Sequence, residues 1–284
     1  MIIATGATGT LNGATVDHLL QRVPAARLGA SVRDPARARH LADRGVRVRR
    51  GSYEDPVALR RSFADAEQVL LVSSSDIGAD VVAQHRTAID AAAAVGARRI
   101  LYTSTCGAGF ETPYPPLAIH AATEQHLAAS GVAWTALRNG FYGDLGQLLG
   151  PWQETGTIAK PADGPFSWVD RRDAAEAAAA ILAGDAAFDG PVDLVPSSPV
   201  TLADFAAAAS ELSGRHIERV VVDDEDWVAG EMANGTPEGA ARFTLSMFQA
   251  TRGGHFAHAD PTLVQLLGRE PRSIADQLAD QNIG

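Results

Sequence analysis

A single cysteine, Cys106, stands in the 284-residue chain. One thiol can form no intrachain disulfide and can build no cysteine-based zinc cluster, so the fold must rest on its hydrophobic core. Aromatic residues make up only 6% of the chain. No stretch reaches the roughly 18 uninterrupted apolar residues that span a bilayer, and the alanine-rich runs at 91–95 and 177–183 are too short. Basic charge is scarce as well. Against 34 Asp and Glu there are 24 Lys and Arg, a formal net charge of -10, so no global positive field draws nucleic acid or an anionic membrane. The opening segment has no basic stretch, and Gly6 and Gly9 interrupt its apolar run, so it does not read as a secretory leader. A cytoplasmic location is the expectation.

What is present, 46% hydrophobic and 20% charged residues, is the composition of an ordinary soluble globular protein. The length suits one large domain, or one domain with a smaller lobe. Short apolar runs alternate with amphipathic segments through the first half. Strands are expected at 2–5, 27–33, 46–52, 68–74, 98–104 and 133–138, and helices at 13–23, 35–45, 56–65, 80–95 and 118–130. Glycine at helix ends and strands apolar on both faces are signs of parallel βαβ units. The expected fold is therefore α/β, a doubly wound parallel sheet that binds ligands at the carboxyl ends of its strands.

After Gly140 the rhythm changes. A Gly/Pro-rich stretch at 150–165 precedes a short strand and a helix within 166–184, then a strand, loop and helix within 192–214, where Thr201 and Asp204 are spaced as a variant capping box. A strand at 216–224 and two or three helices follow. The division expected is a nucleotide-binding domain of 1–150 plus about 166–189, and a smaller lobe of about 151–165 and 190–284.

"TGATGTLNG" (5–13) places Gly6 and Gly9 where the first strand turns into a helix. Such a turn lets the backbone approach a pyrophosphate while the helix N-terminus offers free N–H groups and a positive dipole end. The third glycine of the dinucleotide fingerprint belongs at position 12, where this chain has Asn12; Gly13 is next to it. At the end of the second strand an NAD enzyme carries a carboxylate for the ribose 2′-OH. Here Arg33 precedes Asp34, with Arg37 one turn on. A guanidinium suits a 2′-phosphate, so NADPH is expected ahead of NADH, with Asp34 keeping NADH as an alternative.

Taken together, "TGATGTL", "SVRDPARA", "GSYEDPVALRRSF", "LLVSSS", "ATEQHLAASGVAWTALRNGFY" and "WVDRRDAAEAAAAIL" resemble the NmrA-like branch of atypical short-chain dehydrogenases/reductases, most of all its type-2 NAD(P)H:quinone oxidoreductases. The likeness extends over essentially the whole chain, and "LRNGFY" (137–142) is its most specific part. Asn12 departs from the pattern, as does Ser52, where relatives often have an Asp. The resemblance implies a Rossmann-type domain and a smaller C-terminal α/β substrate lobe. It implies NADPH held by Gly6, Thr8, Gly9, Thr10 and Leu11 at the pyrophosphate and by Arg33 near the adenosine ribose. Ser73 and Ser74 would lie beside the cofactor, Thr103, Ser104 and Asn139 near the nicotinamide, and Gly140, Phe141, Tyr142 and Trp168 around the substrate.

Ordinary short-chain dehydrogenases protonate an alkoxide through a Tyr-x-x-x-Lys dyad. Tyr114 is the only tyrosine in the expected window, and residue 118 is alanine. His120 and Glu124, four apart on one helix face, take the place of the pair by the resemblance, with Ser104 beside them. A quinone asks for less, because hydride addition gives an aromatic hydroquinone anion that needs little proton assistance. The expected activity is hydride transfer from NADPH to a quinone or planar conjugated carbonyl compound, with an aromatic polyketide as one candidate. The alternatives are a non-catalytic NAD(P)-binding redox sensor of the NmrA type, or a tailoring monooxygenase or isomerase on the same fold. Phe141, Tyr142, Trp152, Phe166 and Trp168 are expected to cover the cleft. Asp170 and Asp173 are expected to cap helix 171–183. His120 with Glu124, or His255 with His258, has no third convergent ligand in the sequence, so no metal is expected. A homodimer is left open.

Overall fold

The structure is a computed structural model and describes residues 1–76, 78–184 and 186–281. Its strands are β1 (Ile2–Thr5), β2 (Leu28–Val32), β3 (Arg47–Arg50), β4 (Gln68–Leu71), β5 (Arg99–Thr105), β6 (Ala133–Asn139), β7 (Thr157–Pro161), β8 (Gly190–Leu194) and β9 (Glu218–Val222). The helices of the first half are α1 (Thr10–Leu19), α2 (Arg39–Ala42), α3 (Pro56–Ser62), α4 (Val81–Ala94) and α5 (Pro115–Ala129). Those of the second half are α6 (Leu145–Leu149), α7 (Trp152–Thr155), α8 (Arg171–Ala183), α9 (Leu202–Ser213), α10 (Asp224–Ala233), α11 (Glu238–Arg252), α12 (Thr262–Leu267) and α13 (Ile274–Gln281).

Seven parallel strands form one sheet in the order β3-β2-β1-β4-β5-β6-β8. The chain winds outward from β1 to β3, then returns past β1 to β4, so the strand order reverses between β1 and β4 and opens a crevice at their carboxyl ends. Residues of α1, α8 and α12 cover one face, with Val16, Leu19, Ala178 and Leu263 in a shared core. Residues of α3, α4 and α5 cover the other, through Leu59, Ile89 and Leu127. Burial on both faces is why the strands read as continuous apolar runs. This is the doubly wound, Rossmann-type architecture that the alternation predicts.

Several element boundaries move for local reasons. Helix α1 begins at Thr10 rather than 13, directly after an N-terminal position, Gly9, that no side chain caps. Helix α5 begins at Pro115 rather than 118, because proline is tolerated in a first turn where no intrahelical N–H is needed. The segment expected as helix 35–45 splits into a 3₁₀ turn, Pro35–Ala38, and the single turn of α2. Phe166 and Trp168 make isolated bridges, to Val200 and Phe141, in place of the short strand expected there.

A second core, built on Trp152, Phe166, Phe205, Trp227 and Phe248, belongs to the smaller lobe. There β7 pairs with β9 in a two-stranded parallel sheet. Thr201 and Asp204 form the expected capping box of α9. The boundary expected at 190 needs correction: β8 is the outer strand of the large sheet, beside β6, and α12 also packs on that sheet's side. Taken alone, a five-residue strand after a helix looks the same whether it extends an old sheet or begins a new one. Residues 282–284 of the expected lobe lie outside the described residues.

Candidate functional site

A cavity of about 380 Å³ opens at the reversal point of the strand order. Gly6, Thr8, Gly9, Arg33, Ser73 and Ser74 line it, together with Arg37, Ser52, Tyr53, Asp76 and Gln84. Gly6 has φ +58, and a Cβ there would lie 2.6 Å from Val72 Cγ1, so both conformation and space require glycine. Thr5 ends β1 with its hydroxyl 2.7 Å from Tyr53 Oη and accepting from Val72 N–H at 2.9 Å. Asn12 is buried, and its amide donates to the Thr5 carbonyl at 2.8 Å, clipping the helix to the strand. Close packing passes to Gly13, where a Cβ would sit 3.2 Å from the Ala7 carbonyl. The first intrahelical bond of α1 is Gly13 N–H to Gly9 O. The N–H groups of the first turn are therefore left to point at an anion.

The outer rim is basic. Arg33 is exposed at the cavity mouth, and its guanidinium lies 3.1 Å from an Asp76 carboxylate oxygen. An exposed pair of this kind contributes little and can be exchanged for a phosphate. Asp34 lines the cavity as well, and one oxygen of its carboxylate, Oδ1, caps the following 3₁₀ turn by accepting from Ala36 N–H at 3.0 Å. The rim thus sets the Arg33 and Arg37 guanidinia beside a carboxylate already engaged by the backbone. The glycine turn, the uncapped helix end and this rim fit the diphosphate and 2′-phosphate of NADPH.

Not every expected residue reaches this cavity. Thr10 lines a separate groove of about 350 Å³ with Tyr142, Trp168 and Arg171. The Leu11 side chain is buried in the core. Thr103 is buried, and its hydroxyl accepts from Ser73 N–H at 2.8 Å, which fixes the loop after β4. Asn139 is buried at the end of β6, where its side-chain oxygen has no partner among the described residues.

Ser104, Glu124 and His120 come together at the α5 side of the sheet, in an arrangement that spacing does not reveal. Ser104 donates to Glu124 Oε1 at 2.6 Å, and Arg138 of β6 grips the same carboxylate at 3.0 and 2.6 Å. Glu124 is thus an internal counter-ion that ties α5 to β6, with no bond to His120. His120 instead has its Nδ1 2.8 Å from Tyr102 Oη. Burial, with His85 and Arg138 nearby, lowers the His120 pKa to about 3. His85, under the loop after β4, accepts from Ser74 N–H and is lowered to about 4 by burial. No motif in the sequence marks Tyr53, Tyr102, His85, Asp76 or Gln84 as neighbours of the site. Tyr53 and Asp76 follow the carboxyl ends of β3 and β4, the position at which the crevice rule would have placed them.

The chain's single lysine, Lys160, sits on β7 with its ammonium 3.3 Å from Gln147 O and 5.9 Å from the centre of the Trp227 ring. No lysine stands beside Tyr114, whose ring joins Phe141, Phe243 and Phe256. Gly140 donates to Leu194 O, and Phe141 exchanges backbone bonds with Ser167 and Val169, stitching "RNGFY" to the approach to α8. Tyr142 lies under the Arg171 guanidinium at 5.4 Å. Of the five aromatic residues expected to cover the cleft, Trp152 and Phe166 are buried in the lobe core instead. Trp168 is nearly buried too, its indole N–H donating to Gln277, with one edge on the groove. These rings face inward, where they pack with Phe205, Trp227 and Phe248 in the second core.

Asp170 caps α8 through Arg172 N–H at 2.7 Å, whereas Asp173 binds Arg269 and the Arg272 N–H. Cys106 is buried, and burial pushes its thiol up to about 12, so it is held as the unreactive thiol. His258 pairs with Asp193 at 3.0 Å. Among the described residues no group of three or more His, Cys, Asp or Glu converges, and no helix is long and apolar enough to cross a membrane.

Comparison with known proteins bears on this geometry. A family model described as NAD(P)H-binding matches residues 6–185. Quinone oxidoreductase 2 of Escherichia coli is 35% identical over 283 residues, 98% of each chain. The solved structure of an NADPH-dependent quinone oxidoreductase from E. coli, in complex with NADPH, superposes with a TM-score of 0.91 at 33% identity, over 99% of this chain and 100% of that one. Triphenylmethane reductase of a Citrobacter species, solved with NADP(H), does so at 0.91 and 30%, over 99% of both chains.

Proposed function

The chain belongs to the NAD(P)H-binding family, as an NmrA-like atypical short-chain dehydrogenase/reductase, and from that premise we propose that it is an NADPH-dependent reductase of quinones or related planar conjugated carbonyl compounds. The observation that carries the reading is the pairing of a nucleotide cavity rimmed by Arg33 and Arg37 with a cleft that has no Tyr/Lys dyad. The similarity to a quinone oxidoreductase and to a triphenylmethane reductase agrees with it.

NADPH supplies a hydride when bound. Gly6, Thr8, Gly9, Thr10 and Leu11 present the turn and helix end to its diphosphate. Arg33 exchanges Asp76 for the 2′-phosphate. Ser73 and Ser74 meet its inner half at the end of β4, with Thr103 buried behind them and fixing the Ser73 N–H, and Asn139 buried at the end of β6. Gly140, Phe141, Tyr142 and Trp168 form the wall against which a flat acceptor lies, with the smaller lobe as its cover. His120 hydrogen-bonds or protonates an acceptor oxygen, while Glu124 and Ser104 fix α5 behind it. A cytoplasmic setting, a homodimer and an aromatic polyketide acceptor are finer parts of the same proposal.

Absorbance at 340 nm, followed with NADPH and then NADH, with and without a panel of quinones that includes polycyclic ones, tests it. The reading requires quinone-dependent oxidation that is faster with NADPH. Cofactor binding without oxidation would instead support a redox sensor, and oxidation coupled to a rearranged or oxygenated product would support one of the other tailoring activities.

A further inference from the structure

Beneath the loop after β4, the buried His85, Thr123 and Tyr102 and the partly covered His120 form a hydrogen-bonded chain whose proton order can be deduced. Ser74 N–H donates to His85 Nε2 at 2.8 Å, so the proton of His85 is on Nδ1. That Nδ1 lies 2.8 Å from Thr123 Oγ1, whose own hydroxyl donates to Ile119 O at 2.9 Å. His85 Nδ1 also lies 3.4 Å from Tyr102 Oη, and as a donor it cannot take the phenol's proton. The short bond left to Tyr102 is to His120 Nδ1, at 2.8 Å.

Resting on the function proposed above, we infer that Tyr102 is a positioning residue that donates to His120 Nδ1 and so holds His120 as the neutral Nε2–H tautomer, with that N–H offered to the acceptor oxygen. His120 Nε2 has no partner among the described residues, and the side chain is only partly covered. Hydride addition carries two electrons to the quinone and leaves a hydroquinone monoanion. His120 donates a hydrogen bond to that oxyanion and keeps its proton, and the second proton of the hydroquinone comes from water. The groups facing the chain agree with a neutral ring. His85 on α4 and Arg138 on β6 both disfavour an imidazolium at His120, and Glu124 on the same helix is neutralised by Arg138. Tyr102 itself is raised by burial, with Glu124 and Tyr142 adding to the effect, so it remains a phenol. A neutral imidazole therefore acts as an oxyanion donor here rather than as a general acid.

Long-range ¹H–¹⁵N correlation spectra of the full chain read the tautomers directly. The expected result is His85 as Nδ1–H and His120 as Nε2–H, neither titrating between pH 5.5 and 8. Tyr102→Phe is expected to leave NADPH affinity unchanged, mix the His120 tautomers and lower kcat about tenfold with little change in KM. His120→Gln, whose amide N–H replaces the donor, is expected to keep most of the turnover lost in His120→Phe, with a flat pH profile. An Nδ1–H tautomer at His120, a midpoint near its ordinary value of 6.5, or unchanged kcat in a folded Tyr102→Phe overturns the inference. A wild-type chain that oxidises no NADPH with any quinone overturns the proposed function instead, and the tautomer still decides this inference.

Discussion

Asn12 illustrates what a pattern hides at the scale of one residue. Absence of the third glycine reads as a loss of close packing, yet the Asn12 amide reaches back to the Thr5 carbonyl and Gly13 carries the close approach instead. A shift of one position preserved the geometry, and no regular expression contains that bond. Gly6 has no such substitute. Gly6→Ala must place a Cβ at φ +58 and 2.6 Å from Val72, which costs about 1–3 kcal/mol; a thermal melt should fall accordingly, and NADPH affinity with it. Buried His85 was silent in the sequence, since a lone histidine on a helix is most often solvated. With its pKa lowered from 6.5 to about 4, the unfolded chain binds a proton that the folded chain refuses. Its contribution is therefore present above pH 6.5 and lost as pH falls through about 4, roughly 3 kcal/mol in all. Urea titrations from pH 7 to 4 should show stability falling, and a chain whose stability is flat over that range would contradict it.

Elements were legible where periodicity is local and obscure where partners come from afar. The alternation of strands and helices, the capping box at Thr201 and the cap at Asp170 could all be read from neighbouring residues. Edge membership of β8 could not, because pairing with β6 spans about fifty residues of chain. The same is true of Glu124: its place one turn from His120 was readable, but its partners, Ser104 and Arg138, lie on two strands. Removing one side of a buried, bidentate pair leaves the other charge unpaired. Glu124→Ala should thus destabilise the fold by about 3–5 kcal/mol in denaturant titrations. A Glu124 variant with normal stability but no turnover would make it a catalytic group rather than a strut between α5 and β6.

For the whole molecule, the crevice between the halves of one sheet was anticipated from strand order alone, because a doubly wound sheet has few other places for a ligand. Its chemistry is only partly legible: the glycine turn and Arg33 carry their meaning in sequence, whereas the polar wall of Tyr53, Asp76 and Gln84, and the buried Tyr102 and His85 behind the loop after β4, exist only after folding. Arg33→Ala should raise the Kd of NADPH roughly ten- to hundredfold, the loss of one charge-assisted contact, and barely alter that of NADH; equal losses for both in calorimetry would remove the 2′-phosphate argument. The central claim, two-electron reduction of a quinone by NADPH, is tested most directly by anaerobic stoichiometry, with NADPH consumed and hydroquinone formed measured in one reaction. One hydroquinone for each NADPH, with NADH slower, is the predicted result, and binding of NADPH with no hydroquinone formed from any quinone supplied would contradict it.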